Sequence, residues 1–256
     1  MIDILKNKIL KASLECHPFS HIVIDNFYDL KSAKSLAEDF KDIESDSWYR
    51  YDNAIENKLA RNDLAQMGKP TNIFFDILFS DQIIGAISKK FEIKIEPDRT
   101  LYGAGQHLYS HGGNLNPHLD FSIHPINKKE RRLSLLFYLT DNYQIQDGGN
   151  FGLWESSSAT EPGTLIKEYS PLFNRLIIFD SSQNSWHGLS TRYMPKTKKF
   201  RKSLACYYLS EPRKFTLGNE KAVFAPRESQ KKSKEVAELI ALRSDKVNFH
   251  KAYLKK

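Results

Sequence analysis

An imidazole and a carboxylate stand two residues apart in the run Asn116-Pro117-His118-Leu119-Asp120-Phe121. Side chains alternate with period two along an extended strand, so His118 and Asp120 point to one side and can hold two adjacent corners of a metal site. A third corner has to come from far along the chain, and His187 in Ser185-Trp186-His187-Gly188 is the candidate. Two imidazoles and one carboxylate in a facial arrangement suit Fe(II) and leave positions open for a co-substrate and O2. Downstream, Arg201 in Phe200-Arg201-Lys202-Ser203-Leu204-Ala205 offers a cation for an acidic co-substrate. Guanidinium stays charged and pairs with carboxylate through two hydrogen bonds. Lys202 competes for that role, but its side chain belongs on the opposite face of the strand. A lone His-x-Asp triplet carries little weight. The ordered set carries the argument: His-x-Asp, a Gly-Gly turn at Gly148-Gly149, a histidine, and an arginine opening a strand.

The elements that must position these residues follow from periodicity. Residues 1–15 have apolar positions at helical spacing (Ile4, Leu5, Ile9, Leu10, Leu14), and Pro18 closes that stretch. His21 to Phe27 reads as a strand and turn, and Asp29 as the N-cap of a helix reaching Phe40. Residues 44–72 are polar and irregular and read as a long loop with a short helix near 58–67. A loop of that length is a candidate lid on the substrate side. Phe74 to Phe91 reads as one helix. From about residue 98 the period becomes that of strands. Thr100-Leu101-Tyr102 opens one, Gly103 and Gly105 interrupt it, and Gln106 to Ser110 resumes it. Leu133–Leu139, Phe151–Trp154, Leu165–Tyr169, Arg175–Phe179, His187–Leu189 and Lys202–Leu209 follow, joined by turns. Many short strands of this kind predict a mostly β molecule with flanking helices, an antiparallel sandwich or barrel. The expected organisation is a helical and loop region over 1–97, a β core over 98–212, and a basic helical tail over 213–256. Tail helices are marked by Val236, Leu239, Ile240, Leu242 and Arg243.

Composition bounds the rest. At 256 residues one substantial domain is expected, and a 40% hydrophobic fraction is enough for a core. Cys16 and Cys206 are too few for a disulfide framework, which predicts a reducing cytoplasmic setting that also suits Fe(II). No signal segment and no membrane span are expected. The net charge of +7 lies wholly in residues 213–256, with 12 Lys and Arg against 5 Asp and Glu; residues 1–212 carry 26 of each sign. The tail reads as a solvated helix rather than an anion-binding arm, and no zinc-finger or RNA-binding signature points to nucleic acid. Arg131 and Arg132 read as a solvated start to a central strand.

His118-x-Asp120, the Tyr138-Leu139 strand end, Gly148-Gly149, His187 and Arg201-x-Ser203 together resemble the Fe(II)/2-oxoglutarate-dependent dioxygenases, and within them the bacterial prolyl-4-hydroxylase-like subgroup. The resemblance covers about residues 18–212. It implies a double-stranded β-helix, a cupin-like jelly roll with the metal at its open end. It implies Fe(II), 2-oxoglutarate and O2 as cofactor and co-substrates, ascorbate as a stimulant, and succinate and CO2 as products. It makes His118, Asp120 and His187 the metal ligands and Arg201 the partner of the distal carboxylate of 2-oxoglutarate. Tyr138 joins Arg201, Tyr102 lies near the co-substrate, and Ser203 lines the same pocket. The substrate stays open between peptidyl proline, a free amino acid, and a sugar or other metabolite, as does the oligomeric state. Two other readings stand beside this one: a metal-dependent cupin enzyme without 2-oxoglutarate, and a non-catalytic jelly-roll module with a basic tail.

Overall fold

The computed structural model describes residues 1–253 apart from Ser182, Phe215, Leu217 and Lys246. The chain opens with α1 (Ile2–Lys11), β1 (His21–Ile24), α2 (Leu30–Glu38), β2 (Tyr49–Asp52), β3 (Glu56–Arg61), α3 (Lys69–Leu78) and α4 (Asp81–Phe91). Strands β4 (Glu96–Pro97), β5 (Gly105–Tyr109), β6 (Asn114–Leu115), β7 (His118–Leu119) and β8 (Glu130–Tyr138) come next. They are followed by β9 (Phe151–Ser156), β10 (Pro162–Tyr169), β11 (Arg175–Asp180), β12 (His187–Leu189) and β13 (Arg201–Ser210). A short strand β14 (Val223–Phe224) and helix α5 (Lys234–Ser244) complete the order.

Two antiparallel sheets stack on each other. The larger runs β1-β11-β8-β13-β5-β3-β2, with β4 against β13 and β6 against β3; the smaller runs β10-β9-β12-β7-β14. The central strands β8, β11 and β13 are apolar almost throughout because both their faces are covered. Leu133, Leu135, Phe137, Leu176, Ile178, Leu204 and Cys206 pack against the N-terminal helices. The alternate residues Tyr138, Ile177 and Phe179 meet Phe151 and Leu153 of the smaller sheet. This second face encloses the cavity described below. The period-two alternation therefore divides one strand between a structural core and a chemical one.

Three expectations need correcting. Residues 44–72 are not mainly loop: β2 and β3 pair from Tyr49↔Ala60 to Asp52↔Asn57 and extend the larger sheet. The helical piece there is a single turn at Leu64–Gln66. Polar edge strands hide in sequence because one flank is solvated, and strand propensity depends on that setting. The helix expected over Phe74–Phe91 is two helices. Ser80 ends the first by donating to the Ile77 carbonyl and stands as N-cap of the second. Strand β5 starts at Gly105, not Thr100, because Leu101, Gly103 and Gly105 all have positive φ and form a turn.

The C-terminal segment is not a free tail. Phe224 pairs with His118 in the register of β14 on β7. Ile55, Phe224 and Val236 form a small apolar cluster that seats α5 on the β2–β3 side of the molecule. Arg227 donates to the carbonyls of Leu189 (2.7 Å) and Ser190 (2.8 Å) and to Asn114 Oδ1 (2.6 Å). Burial, and then Arg192 nearby, bring its guanidinium down to about 10, so it is still charged at neutral pH. Arg227→Ala is expected to cost about 2 kcal/mol of stability, the scale of hydrogen bonds made by a charged donor. It should also speed proteolysis between residues 219 and 253. Urea denaturation and timed trypsin digestion check this, and an unchanged cleavage rate would mean Arg227 is not the latch.

Candidate metal centre and its cavity

The two histidines converge because their strands are neighbours. In the pairing of β12 with β7, His187 stands opposite His118. The ring centroids are 4.3 Å apart. Gly188 permits this approach, since a Cβ there would lie 2.6 Å from the Asn116 carbonyl oxygen. Each imidazole uses Nδ1 on a backbone carbonyl two residues upstream: His118 on Asn116 (2.9 Å) and His187 on Ser185 (2.7 Å). A carbonyl only accepts, so the proton sits on Nδ1 and the Nε2 lone pair is free to bind a metal. Both Nε2 atoms face Asp120, at 3.5 Å from Oδ1 for His118 and 3.4 Å from Oδ2 for His187. One ligand atom from each residue falls within 4.8 Å of the others. The donor set fits Fe(II) in type, number and facial arrangement.

Asp120 is buried, and burial opposes its charge. Arg131, followed by His187, outweighs that penalty and holds the carboxyl well below the usual carboxylate range. Arg131 is itself buried, with an N–H group 3.1 Å from Asp120 Oδ2. This overturns its reading as a solvated residue. The cause is a slip of one residue in register: Tyr208 pairs with Leu133, but Leu209 pairs with Arg131. A bulge of this kind re-aims a side chain, and it turns Arg131 onto the inner face that strict alternation would give Arg132. His118 lies below its ordinary 6.5 because of burial and then His187, so it stays neutral.

Arg201 lies buried on β13 and donates from Nε to the Gly149 carbonyl at 2.8 Å. Its guanidinium lies 4.9 Å from the Tyr109 ring and 5.0 Å from the Tyr138 ring. Among the described residues it has no carboxylate partner. The Tyr138 and Tyr193 hydroxyls are buried without a hydrogen-bond partner. Burial pushes the Tyr138 phenol up to about 12, so it remains a donor. A buried cation flanked by unengaged donors fits a carboxylate. Ser203 pairs in register with Tyr138 and with His107, and it lines the same cavity as Arg201. Lys202 points away, as expected, and donates to the Ala37 carbonyl.

Tyr102 is not brought to this cavity. Its ring packs on Phe121 and His124, at 5.5 Å from each, in a neighbouring cleft. The positive-φ turn before β5 separates it, and Tyr109, opposite Arg201 in register, stands in its place. His111 touches the Pro195 carbonyl near the surface, and His124 is buried beside Asp98. The cavity, about 140 Å³, also takes in Glu56, Lys58, His107, Phe224 and Arg243, none of which the sequence reading placed there. Only the cross-strand register of β5 with β13 could have marked His107, and no spacing signal marks Lys58 or Arg243.

His107 is buried, and its imidazole lies well below its ordinary 6.5, from burial first and then Lys58 and Arg201. The unfolded chain then binds a proton below pH 6.5 that the folded chain refuses. Stability contributed by the neutral ring is therefore complete above that pH and falls as pH drops below it. In the metal-free protein His107→Gln should remove about 1 kcal/mol from the fall in stability between pH 6.5 and 5.5. Urea melts across that window measure it, and an identical slope in the variant would refute the assignment.

Residues 104–209 match the family model of the 2OG-Fe(II) oxygenase superfamily. The prolyl 3-hydroxylase OGFOD1 of Mus musculus is 24% identical over 187 residues, 73% of this chain and 32% of that protein. The chain thus spans about a third of the length of that relative. The Xenopus laevis OGFOD1 matches over 60 residues at 32% identity, covering 23% of this chain and 12% of that protein. Among solved structures, a Pseudomonas putida prolyl-4-hydroxylase superposes with a TM-score of 0.56 at 16% identity, covering 82% of this chain and all of that one. A Phytophthora capsici prolyl 4-hydroxylase gives 0.55 at 17%, covering 98% and 82%. A Trichoplax adhaerens prolyl hydroxylase, in complex with a peptide of hypoxia-inducible factor, gives 0.54 at 15%, covering 81% and 88%. The likeness gives the two stacked sheets as a double-stranded β-helix. The family uses Fe(II), 2-oxoglutarate and O2. No described helix is long and apolar enough to cross a membrane. Residues 104–209 thus match a 2OG-Fe(II) oxygenase domain, and the chain has the fold of the prolyl-4-hydroxylase structures on which it superposes.

Proposed function

We propose that this protein is an Fe(II)- and 2-oxoglutarate-dependent hydroxylase of an aliphatic C–H, and that its substrate is a prolyl residue in a peptide. In the balanced reaction 2-oxoglutarate, O2 and R–H give succinate, CO2 and R–OH. His118, Asp120 and His187 would hold the metal, which together with the 2-oxo acid supplies O2 activation. The observation that carries the reading is a buried, uncountered guanidinium at Arg201, in one cavity with two imidazoles and a carboxylate. The Trichoplax adhaerens neighbour, with its bound peptide, supports a peptidyl substrate.

The chain's own part is binding and orientation. Arg201 anchors the remote carboxylate of the co-substrate through paired hydrogen bonds, and the Tyr138 hydroxyl adds a further donor. Tyr193 extends that set from the segment after β12. Arg131 keeps Asp120 ionised and fixes the plane of its carboxylate. The carbonyls of Asn116 and Ser185 fix both imidazole tautomers. Phe151, Phe179 and Leu136 wall the cavity and keep water from the reacting centre.

Titration of 2-oxoglutarate into Mn(II)-loaded protein tests the reading, with succinate release from the Fe(II) form as the activity readout. His118→Ala should abolish metal retention. Arg201→Ala should keep the metal and weaken 2-oxoglutarate by roughly 2 kcal/mol or more, about 30-fold. A cupin enzyme that works without 2-oxoglutarate would lose nothing on Arg201→Ala, and that result would sink the proposal.

A further inference from the structure

The metal cavity opens into a second cleft of about 310 Å³, and the two share Tyr51, Lys58, His107, Phe121 and Arg243. One wall of the cleft is the β2–β3 hairpin, through Tyr51 and Lys58. The other is the C-terminal segment, through Lys221, Ala222, Arg243 and Tyr253. A substrate reaching the metal through this cleft passes between them.

The charges along that path do not balance. Arg131 is matched by Asp120 (3.1 Å) and Lys58 by Glu56 (3.1 Å). Glu220 lines the cleft and lies 3.8 Å from Lys128, which does not. Arg201 is reserved for the co-substrate. Fe(II) and dianionic 2-oxoglutarate bring equal and opposite charge, so loading the site does not lower the net positive charge; the remote carboxylate meets Arg201 and none is left for Arg243. Lys221 lines the outer cleft only, 3.3 Å over the Phe249 ring, whereas Arg243 lines both the cleft and the metal cavity. The carboxylate of Glu56 is shared with Lys58 first and Arg243 second, and it balances one of them. Among the described residues Arg243 makes no hydrogen bond, and its Nε is buried without an acceptor. Its position is nevertheless fixed, because the guanidinium lies 5.6 Å from the Phe224 ring and 5.4 Å from the Tyr253 ring. A fixed, half-buried guanidinium with free donors is a carboxylate receptor. The low-dielectric walls focus its field along the path of entry.

Its distance from the chemistry is bounded. Phe224 stacks on His118 with centroids 5.2 Å apart, and Arg243 lies 5.6 Å beyond that ring. Those two steps span about three residues of extended chain. We propose that the substrate carries a carboxylate within about three residues of the hydroxylated position, and that Arg243, beside Lys58, binds it. This rests on the hydroxylase reading above and narrows its substrate class. An acidic side chain in a peptide and the α-carboxylate of a free amino acid offer the same chemistry to Arg243.

The test is binding to protein loaded with Mn(II) and 2-oxoglutarate. A fluorescent proline peptide with Glu two positions from the proline is compared with its Gln counterpart. L-proline and L-prolinamide serve as competitors for the free-acid source. The Glu peptide, or L-proline, should bind at least about tenfold more tightly than its neutral counterpart. Arg243→Gln should erase that difference, Arg243→Lys should keep most of it, and Arg243→Glu should reverse it toward a Lys peptide. If neither acidic probe outbinds its neutral partner, or the preference survives in Arg243→Gln, the proposal is overturned. Titration of 2-oxoglutarate in the same samples keeps the two ideas apart. Failure of 2-oxoglutarate to bind the parent overturns the hydroxylase reading, whereas 2-oxoglutarate binding without an acidic preference overturns the carboxylate alone.

Discussion

A buried carboxylate is the constraint around which the rest of the site is built. Asp120 is kept ionised away from bulk water by Arg131, and both imidazoles turn their free nitrogens toward it. An ionised group in that setting is expensive unless its partners are fixed in geometry. The fold fixes them with backbone. Two carbonyls orient the imidazoles, a glycine lets the strands that carry them close, and a slipped residue in β8 swings Arg131 inward. Each device is small, and each is rigid because it belongs to a paired strand. Before any metal arrives, the donors already sit where a divalent cation would relieve their mutual strain.

The meeting of His118, Asp120 and His187 was legible in sequence because part of its logic is local. Period-two alternation puts His118 and Asp120 together on any extended backbone. His187 was a candidate from its place in the ordered set, and the pairing of β12 with β7 brings it opposite His118. The same rule put Arg201 and Ser203 on one face and Lys202 on the other. The apolar runs of β8, β11 and β13 were equally plain. What sequence could not supply was register. Tyr109 and Tyr102 are indistinguishable until β5 is paired with β13, and a run of positive φ values at Leu101, Gly103 and Gly105 then decides between them. Arg131 was misplaced for a related reason: two arginines at a strand start read as solvated, and only the register shift in β8 turns this one inward.

Charge misled in a different way. Summed over residues 213–256, the basicity looked like a property of a solvated helix. Composition gives a total, and where each charge lands depends on packing. Arg227 is spent on carbonyls of the β-core, Arg243 faces the cavity, and Lys221 lies 3.3 Å over the ring of Phe249. Lys231, by contrast, pairs with Glu228 in solvent. The helix α5 shows why periodicity gave no warning: Val236 is its buried residue, and the rest of its apolar side chains are only partly covered. A helix that covers a cavity mouth has a shallow apolar face, and its most informative residue is a charged one.

The division of labour along the chain has a consequence for specificity. The family match spans residues 104–209 and contains the triad, Arg131, Tyr138 and Arg201. Most of the cleft's lining lies outside it on both sides, in the β2–β3 hairpin and in residues 219–253, with Ala104, His107 and Phe121 inside it. Fold and metal chemistry therefore travel with the matched region, and substrate choice does not. The hairpin lies at the edge of the larger sheet and β14 at the edge of the smaller. Edge elements tolerate exchange without disturbing the buried pairings of β8 with β13 or β7 with β12. The entrance can thus be rebuilt while the geometry of the His118, Asp120 and His187 cluster stays intact. Phe224 joins the two regions. It belongs to the C-terminal wall, yet it stacks on His118, so any change in how the C-terminal segment seats is felt at the His118 imidazole.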